Sequence, residues 1–381
     1  MANSGFTHFC LLFLLAFLFT SSFGHGSIPQ SKDHVALFIF GDSLFDAGNN
    51  KYINTSASYK ANYWPYGETF FRHPTGRHCD GRLIPDFIAE YAKLPLLLPY
   101  KQPGSNLLLV DGVNFASGGA GALVETHQGY VIDLKTQLNY FKKVVKLLDE
   151  QYGGKEAKRL LSKAVYLFSI GSNDYIVPFM GNSSLLQLHS QEEYVDMVIG
   201  NFTDVIKEIY KMGGRKYGFL GLGPLGCLPF SRALNFTKNN VGGCLEEMND
   251  LVKLHNLAFS KVLKKLEKHL QGFKYSNFNF YTTLMERMEN PSKYGFKDGK
   301  NACCGSGPYR GILTCGEKEG VNSCGGRRGI KEHELCSNRN DRVFFDYVHP
   351  SDVANQQLSK LMWNGNGSLV GPYNLKTLFE F

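Results

Sequence analysis

The sequence predicts an α/β fold in which a parallel β-sheet is covered by helices on both faces. Short apolar runs of strand length alternate along the chain with longer segments whose apolar residues recur every three or four positions. Such an alternation of strands and helices is typical of a parallel sheet with helices packed on each side. The sequence contains no internal repeat, low-complexity stretch or interdomain linker, which favours a single domain.

The predicted elements follow one another in a regular order. The predicted strands are residues 35–40, 165–170, 217–222 and 273–281, and the predicted helices are residues 138–152, 194–212 and 251–270. The middle helix has apolar residues at helical spacing from Val195 to Ile209, which indicates one buried face. Active sites of parallel sheets form at the carboxyl ends of strands, so polar residues that directly follow a strand are candidates for function.

The composition limits the classes of function. With 43% hydrophobic and 13% aromatic residues, a chain of 381 residues can bury a substantial core. The net charge of +7 is spread over many segments without a concentrated basic block. Nucleic-acid binding is therefore not indicated.

The first 26 residues are predicted to be a secretory signal peptide. They contain no Lys, Arg, Asp or Glu, and residues 9–19 form an unbroken apolar run. That run is shorter than the roughly 20 residues that a membrane-spanning helix needs, and small residues follow it, as they do before a signal cleavage site. We expect cleavage between Ser22 and Ser27, secretion to the extracellular space, cell wall or vacuole, and a single domain at residues 27–381 without a transmembrane anchor.

Two distant motifs supply the groups for acyl transfer. Ser43 lies in Gly-Asp-Ser-Leu directly after the first predicted strand, and Asp346 precedes His349 by three positions. A serine hydroxyl becomes a useful nucleophile when an imidazole accepts its proton and a carboxylate orients that imidazole. If residues 346–349 form one helical turn, the carboxylate and the imidazole share a face. Taken alone, Ser43 is also consistent with a helix N-cap and His349 with a surface loop.

Oxyanion donors are available in two further segments. Asn173 follows the apolar run at residues 164–170, and residues 114–121 form a glycine-rich loop with unobstructed backbone N–H groups. A side-chain amide together with backbone N–H groups is a workable oxyanion hole. Asn173 and the glycines are also consistent with ordinary turns. We interpret Asp174 as a hydrogen-bonding turn residue, Asp42 as a residue that holds the turn around Ser43, and His255 as a packing or surface residue.

These blocks, in this order, resemble the GDSL esterase/lipase family in its SGNH-hydrolase form. Four further segments, at residues 74–77, 81–87, 221–229 and 301–305, resemble the plant secreted branch of that family. The resemblance implies a three-layer α/β/α sandwich with a flavodoxin-like parallel sheet. It places the nucleophile at Ser43, the base at His349 and the orienting acid at Asp346. It places the oxyanion donors at the N–H of Ser43, the N–H of Gly119 and the side chain of Asn173. Ala120 and Gly121, in the same loop, are the alternative positions for the glycine donor.

The sequence departs from the family pattern in one loop. Residues 77–81 read Arg-His-Cys-Asp-Gly, where the family more often has small polar or aromatic residues in place of His78 and Cys79. We expect this loop to line the pocket and to alter the choice of acyl or acceptor group.

The resulting functional hypothesis is an esterase that needs no metal or organic cofactor. Its small-molecule substrate would be a lipid, phenolic or cell-wall ester. An acyltransferase that passes the acyl group to an alcohol, polyol or sugar-acid acceptor would use the same residues. A noncatalytic binding or defence protein is a third hypothesis, but it predicts a broken triad, and every element is present.

Cysteines and sequons fit the secretory pathway. Cys10 lies in the signal peptide, so eight of the nine cysteines remain, namely Cys79, Cys227, Cys244, Cys303, Cys304, Cys315, Cys324 and Cys336. We expect disulfides that staple a cysteine-rich loop at about residues 291–340, with Cys303 and Cys304 bonded to distant partners. Zinc binding is the rival interpretation, but paired C-x-x-C spacings are missing. Glycosylation sequons occur at Asn54, Asn182, Asn201, Asn235 and Asn366.

Overall fold

The computed structural model describes residues 34–104, 109–181, 188–239, 242–312, 315–316 and 334–381. The predicted signal peptide, Asn182 and Cys324 lie outside these residues. Among the described helices, none is both long enough and apolar enough to cross a bilayer.

A six-stranded sheet forms the centre of the molecule. The described strands are β1 (Leu37–Gly41), β2 (Gly112–Asn114), β3 (Val165–Ser169), β4 (Lys216–Leu220), β5 (Lys274–Phe278), β6 (Cys304–Gly305), β7 (Glu334–Leu335) and β8 (Val370–Pro372). The sheet order is β2-β1-β3-β4-β5-β8; β1 to β5 are parallel and β8 is antiparallel to β5, while β6 and β7 form a separate ribbon. The order 2-1-3-4-5 is that of flavodoxin-like sheets. The predicted fold class is confirmed, but neither β2 nor the antiparallel edge was predicted.

Ten α-helices are described. They are α1 (Ile84–Tyr91), α2 (Leu134–Tyr152), α3 (Gly154–Lys163), α4 (Ser172–Gly181), α5 (Gln191–Lys211), α6 (Pro229–Asn239), α7 (Glu246–His269), α8 (Phe280–Glu289), α9 (Asp352–Asn364) and α10 (Leu375–Glu380). The predicted helices are α2, α5 and α7. Helices α2 and α5 begin earlier than predicted because polar caps precede the apolar pattern: Asp133 accepts from the N–H of Thr136, and Ser190 from that of Glu193. The predicted strand at 273–281 is wrong at its end, because Asn279 caps α8.

One face of the sheet carries a ladder of aromatic side chains. Two rows run across neighbouring strands in register, Phe38 with Tyr166 and Tyr217, and Phe40 with Phe168 and Phe219. The rings of Phe40 and Phe168 stack with centroids 4.9 Å apart. Phe141 of α2, Phe202 of α5 and Phe259 of α7 pack on these rows. Each aromatic pair adds about 0.5–1.5 kcal/mol beyond its area burial, so this face fixes the three helices to the sheet.

The opposite face is covered by a second set of helices. Helix α10 packs on β4 and β5 and contacts α9, which in turn contacts α1. At Gly218, a Cβ atom would lie only 2.6 Å from Leu375 Cδ2, so the glycine lets α10 approach the sheet closely. With helices on both faces, the architecture is the expected α/β/α sandwich.

Three disulfides join described cysteines. They are Cys227–Cys244, Cys303–Cys336 and Cys304–Cys315. The prediction that Cys303 and Cys304 each bond to a distant partner is confirmed. Cys79, in contrast, is buried and unpaired within the described part of the chain, which corrects the expectation of a disulfide there. Its Sγ instead lies 3.4 Å from the N–H of Gly81 and 3.5 Å from Nδ2 of Asn355, so it serves the packing of its own loop.

Candidate active site

Ser43 lies immediately beyond the carboxyl end of β1. Gly41 ends the strand with a φ of +149°, and a Cβ atom there would lie 2.2 Å from the carbonyl oxygen of Ser169, so only glycine fits. The side chain of Gln137 bonds both the N–H and the carbonyl of Gly41 over 2.8 Å. The turn that follows is closed by Asp42, whose Oδ1 accepts from the N–H of Leu44 over 3.0 Å. The backbone before Ser43 is therefore held from both sides.

A continuous chain of hydrogen bonds links Ser43 to His349 and Asp346. Ser43 Oγ lies 2.7 Å from His349 Nε2, across 306 positions of sequence. The other ring nitrogen, Nδ1, lies 2.8 Å from both carboxylate oxygens of Asp346. The structure thus brings together the three residues that the sequence singled out. A proton can pass from the hydroxyl to the ring while the carboxylate holds the ring orientation.

The local structure of residues 346–349 differs from the expected helical turn. Asp346 Oδ1 accepts hydrogen bonds from the N–H groups of Val348 and His349 over 2.9 and 2.7 Å. The segment is a side-chain-closed turn, and α9 begins only at Asp352. The aspartate itself builds the turn that returns the imidazole to it, because Asp side chains readily bond the backbone two or three residues ahead.

Tyr66 is a member of this cluster that the sequence did not reveal. Its hydroxyl donates to Asp346 Oδ2 over 2.7 Å, and both side chains are fully buried. Burial and the adjacent carboxylate raise the pKa of Tyr66 well above its usual value, so the hydroxyl remains a donor. Burial alone would raise the pKa of Asp346, but the His349 ring and the backbone N–H groups lower it overall, and the carboxylate stays ionised. No sequence signal joins positions 280 apart.

The expected oxyanion donors lie around one cavity. Ser43, Gly119 and Asn173 all line it. Within the described part of the chain, the N–H groups of Ser43 and Gly119 have no hydrogen-bond acceptor. Asn173 uses Nδ2 to donate to the carbonyl of Ala120 over 2.9 Å, and this amide carries a second hydrogen. Gly119 has a φ of +84°, and a Cβ atom there would lie 2.7 Å from the ring of Tyr59.

Buried polar side chains hold the glycine-rich loop from two directions. Asp174 accepts from the N–H groups of Ala122 and Leu123 over 2.8 and 3.0 Å and from the Thr126 hydroxyl over 2.6 Å. From the other side, Asp46 accepts from the N–H of Gly118 over 2.9 Å. Asp174 is therefore the hydrogen-bonding residue that the sequence indicated, but its partners lie directly after the glycine-rich loop and not in its own turn.

Asp42 is a buried carboxyl beside the nucleophile. Burial raises its pKa to about 7. Its Oδ1 bonds the N–H of Leu44, and Oδ2 has no hydrogen-bond partner among the described residues. These contacts fit a residue that shapes the turn around Ser43.

The loop at residues 77–81 reaches the site through His78. The ring of His78 packs against that of His349 with centroids 4.7 Å apart, and His78 lines the same cavity as Ser43. Burial, followed by the proximity of His349, lowers the pKa of His78 to about 3, so this ring is neutral. His78 thus lines the pocket as expected, whereas Cys79 is not among the residues that line it.

One group of donors could hold a metal ion by geometry. Donor atoms of His78, Asp346 and His349 all lie within 4.8 Å of one another. Asp346 and His349 are already bonded to each other, so a cation on these atoms would compete with the contact that orients the imidazole. A second group includes Cys227 and Cys244, whose sulfurs are joined in a disulfide.

The structure also places His255 and four of the five predicted glycosylation sites. His255 is buried on α7, where its Nδ1 lies 2.8 Å from the hydroxyl of Tyr175, so it is a packing residue. Asn54, Asn201 and Asn366 are exposed. Asn235 is buried on α6, and its Nδ2 donates to the carbonyl of Gly243 over 3.2 Å, so a glycan there would have to displace this contact.

Two cavities meet at Ser43. The first, which we call the slot, has a volume of about 30 Å³ and is lined by Asp42, Ser43, Leu44, Ser172, Asn173, Ile176, Gly223, Leu225, Leu228, Phe280, Leu284, Val348 and Pro350. The second, the chamber, has a volume of about 300 Å³ and is lined by Ser43, Ser58, Tyr59, His78, Gly119, His127, Asn173, Ile176, Met180, Phe230, Ile312, Tyr347, Val348 and His349. The slot is mostly aliphatic, whereas the chamber combines rings with polar groups.

Comparison with known proteins gives one consistent result. The sequence model of the GDSL-like Lipase/Acylhydrolase family matches residues 37–362. The chain is 55% identical to GDSL esterase/lipase 1 of Arabidopsis thaliana over 91% of this chain and 90% of that protein. It is 48% identical to GDSL lipase of Tanacetum cinerariifolium over 92% of this chain and 89% of that protein. It is 37% identical to GDSL esterase/lipase 7 of Arabidopsis thaliana over 97% of this chain and 98% of that protein. The chain therefore belongs to the GDSL-like lipase/acylhydrolase family and is a carboxylic ester hydrolase.

Proposed function

We propose that this protein is a secreted serine esterase that works through an acyl-enzyme on Ser43. The observation that carries the proposal is the unbroken line of hydrogen bonds from Ser43 through His349 to Asp346. His349 Nε2 accepts the hydroxyl proton as Ser43 Oγ attacks the ester carbonyl. Asp346, held by two backbone N–H groups and by Tyr66, keeps the imidazole aligned and stabilises it when it is protonated.

The tetrahedral intermediate needs donors for its negative oxygen. The N–H groups of Ser43 and Gly119 and the second amide hydrogen of Asn173 fill this role, because they border the same cavity and are not used elsewhere in the described structure. Each such donor typically accelerates the reaction by about a hundred- to a thousandfold. His349 then returns its proton to the leaving alcohol oxygen, and water, activated by the same imidazole, releases the acid. None of these steps calls for a metal or an organic cofactor.

Acyl transfer is the second candidate function, and the chamber favours it. About 300 Å³ of space lies on the side of Ser43 where His349 is placed, enough for an acceptor alcohol in place of water. The two outcomes differ only in the nucleophile that enters after the first alcohol leaves. Product analysis with an ester and a polyol or sugar-acid acceptor separates them, since transfer yields a new ester and hydrolysis yields only the free acid.

Secretion is supported by the disulfides and by the N-terminal segment. Three disulfides suit an oxidising compartment. The exposed sequons at Asn54 and Asn366 are the best candidates for glycans, and Asn201 is exposed in the middle of α5. Expression with the native N-terminus tests this part. A mature protein in the medium that begins between Ser22 and Ser27 supports secretion, and retention of an intact Met1 inside the cell contradicts it.

The nucleophile is tested by Ser43→Ala on a p-nitrophenyl ester. We expect loss of turnover and of labelling by a fluorophosphonate probe, with an unchanged thermal midpoint. Ser162→Ala on α3 is the matched control, because Ser162 is exposed and its hydroxyl donates to the carbonyl of Arg159, in its own helix. Turnover retained by Ser43→Ala would remove the basis of the proposal.

A further inference from the structure

The slot and the chamber assign the two halves of an ester to different sides of Ser43. Both cavities share Ser43 and Asn173, so a carbonyl carbon bound at Ser43 has space in two directions. The leaving alcohol oxygen must receive its proton from His349 Nε2. His349 lines the chamber and is not among the described residues that line the slot. The alcohol half therefore occupies the chamber, which leaves the slot to the acyl half.

The slot is small, and the side chains that form its walls are closely packed in the hydrophobic core. A volume of about 30 Å³ is enough for about two water-sized groups. Phe280, Leu284 and Leu228 of its wall are at most 3% exposed and belong to the hydrophobic core, so they are packed from behind. Close-packed interiors resist expansion, and a longer chain would have to displace these side chains. The chamber, about ten times larger, imposes no such limit on the alcohol.

We infer that the enzyme selects esters of short acyl groups, from acetyl to butyryl, with a bulky alcohol that carries polar or aromatic groups. This inference rests on the proposed function of Ser43. The aliphatic wall of the slot matches a short alkyl chain. The chamber, with the neutral ring of His78, the ring of His127 and the hydroxyl of Ser58, matches an alcohol that has its own hydrogen-bonding groups or rings.

The test is a series of p-nitrophenyl esters in which only the acyl chain changes. We expect kcat/KM for acetate and butyrate to exceed that for octanoate by about tenfold or more, with hexanoate between them. All esters are used below their solubility limits, and the rate with Ser43→Ala is subtracted as background. A flat profile, or one that rises toward octanoate, would overturn the inference.

Two substitutions in the slot wall have opposite expected effects. Leu284→Ala removes volume from the wall and should raise the ratio of octanoate to acetate turnover. Gly223→Ala adds a methyl group whose carbon would lie 3.0 Å from Phe280 Cε1 and 3.5 Å from Leu284 Cδ2, and it should lower the ratio of butyrate to acetate turnover. A general loss of stability cannot shift the preference in opposite directions. If Leu284→Ala does not fold, the Gly223→Ala ratio alone decides.

A control on the chamber wall tests the orientation of the ester. Met180 lines the chamber and is 58% exposed, so Met180→Ala leaves the core intact. We expect it to leave the acyl-length ratios unchanged, and a shift in those ratios would mean that the acyl and alcohol halves are reversed.

The proposed function and the acyl-length inference fail in distinguishable ways. Turnover that survives Ser43→Ala overturns the nucleophile, whereas Ser43-dependent turnover with a preference for long chains overturns only the acyl-length inference.

Discussion

Replacing Tyr66 by Phe removes one hydroxyl from the buried side of the Asp346–His349 pair. That hydroxyl donates to Asp346 Oδ2 over 2.7 Å in a place closed to solvent. A hydrogen bond to a charged group contributes about 1.5–3 kcal/mol net, so we expect the free energy of unfolding at neutral pH to fall by about 2 kcal/mol. The thermal midpoint should fall by roughly 3 °C, because a domain of this length has a large unfolding entropy.

The same substitution should lower the rate of catalysis. Without the hydroxyl, the Asp346 carboxylate loses one of the contacts that hold it, so it aligns the His349 ring less well for accepting the Ser43 proton. We expect kcat/KM to fall by about tenfold, which corresponds to about 1.36 kcal/mol of transition-state stabilisation.

The assay is kcat/KM for p-nitrophenyl butyrate at neutral pH, together with thermal melts. Tyr166→Phe is the matched control, since the hydroxyl of Tyr166 is also buried and donates to the carbonyl of Leu161 over 2.8 Å at the far end of β3. It should lower the thermal midpoint and leave kcat/KM unchanged. A Tyr66→Phe variant with the kcat/KM of the wild type, despite a lowered midpoint, would refute the reasoning.

Three further expectations follow from the same geometry. Asn173→Ala should lower kcat by about a hundred- to a thousandfold and, through the lost bond to Ala120, also lower the thermal midpoint; a loss of less than about tenfold in steady-state kinetics would contradict its role as a donor. Gly121→Ala places a Cβ atom 2.4 Å from Asp174 Oδ1 and should lower kcat by shifting the loop, whereas Gly200→Ala on α5, with no heavy atom within 4 Å, should not. Burial raises the pKa of Asp42 from 3.8 to about 7, so its contribution to stability is complete below about pH 4 and is lost as the pH rises through about 7. Thermal melts should therefore show a midpoint that falls over this window more steeply in wild type than in Asp42→Asn, and equal slopes would contradict the shift.

The sequence predicted the parts of the fold that depend on local pattern. The apolar runs before Ser43 and Asn173 are long enough to be read as β1 and β3, and the carboxyl ends of neighbouring parallel strands must lie side by side. β2 and β8 were not predicted because each has only three residues, too few to show the alternation of apolar and polar residues that marks a strand. Their positions depend on pairing with β1 and β5, which is a tertiary property.

In the candidate site, too, the sequence predicted the residues that belong to motifs but not the residues that reach the site only through tertiary contacts. Motif spacing was sufficient to select Ser43, Asp346 and His349, although the turn that joins the last two is built by the aspartate side chain and not by a helix. Tyr66 and His78 could not be assigned roles, since their contacts with Asp346 and His349 cross more than 270 positions and leave no periodic trace. The unpaired Cys79 was missed because an even cysteine count does not distinguish a buried thiol from a bonded one.

The first turn of α4 holds the end of the glycine-rich loop and the residue that follows it. Asn173 bonds the carbonyl of Ala120, and Asp174 bonds the N–H of Ala122. These two hydrogen bonds join segments that are about 50 residues apart in the sequence, so a shift of either segment would break its contacts with the other. A chimera that imports this loop from a relative without the residues that open α4 should lose activity while keeping its fold, and transplanting both together should restore it.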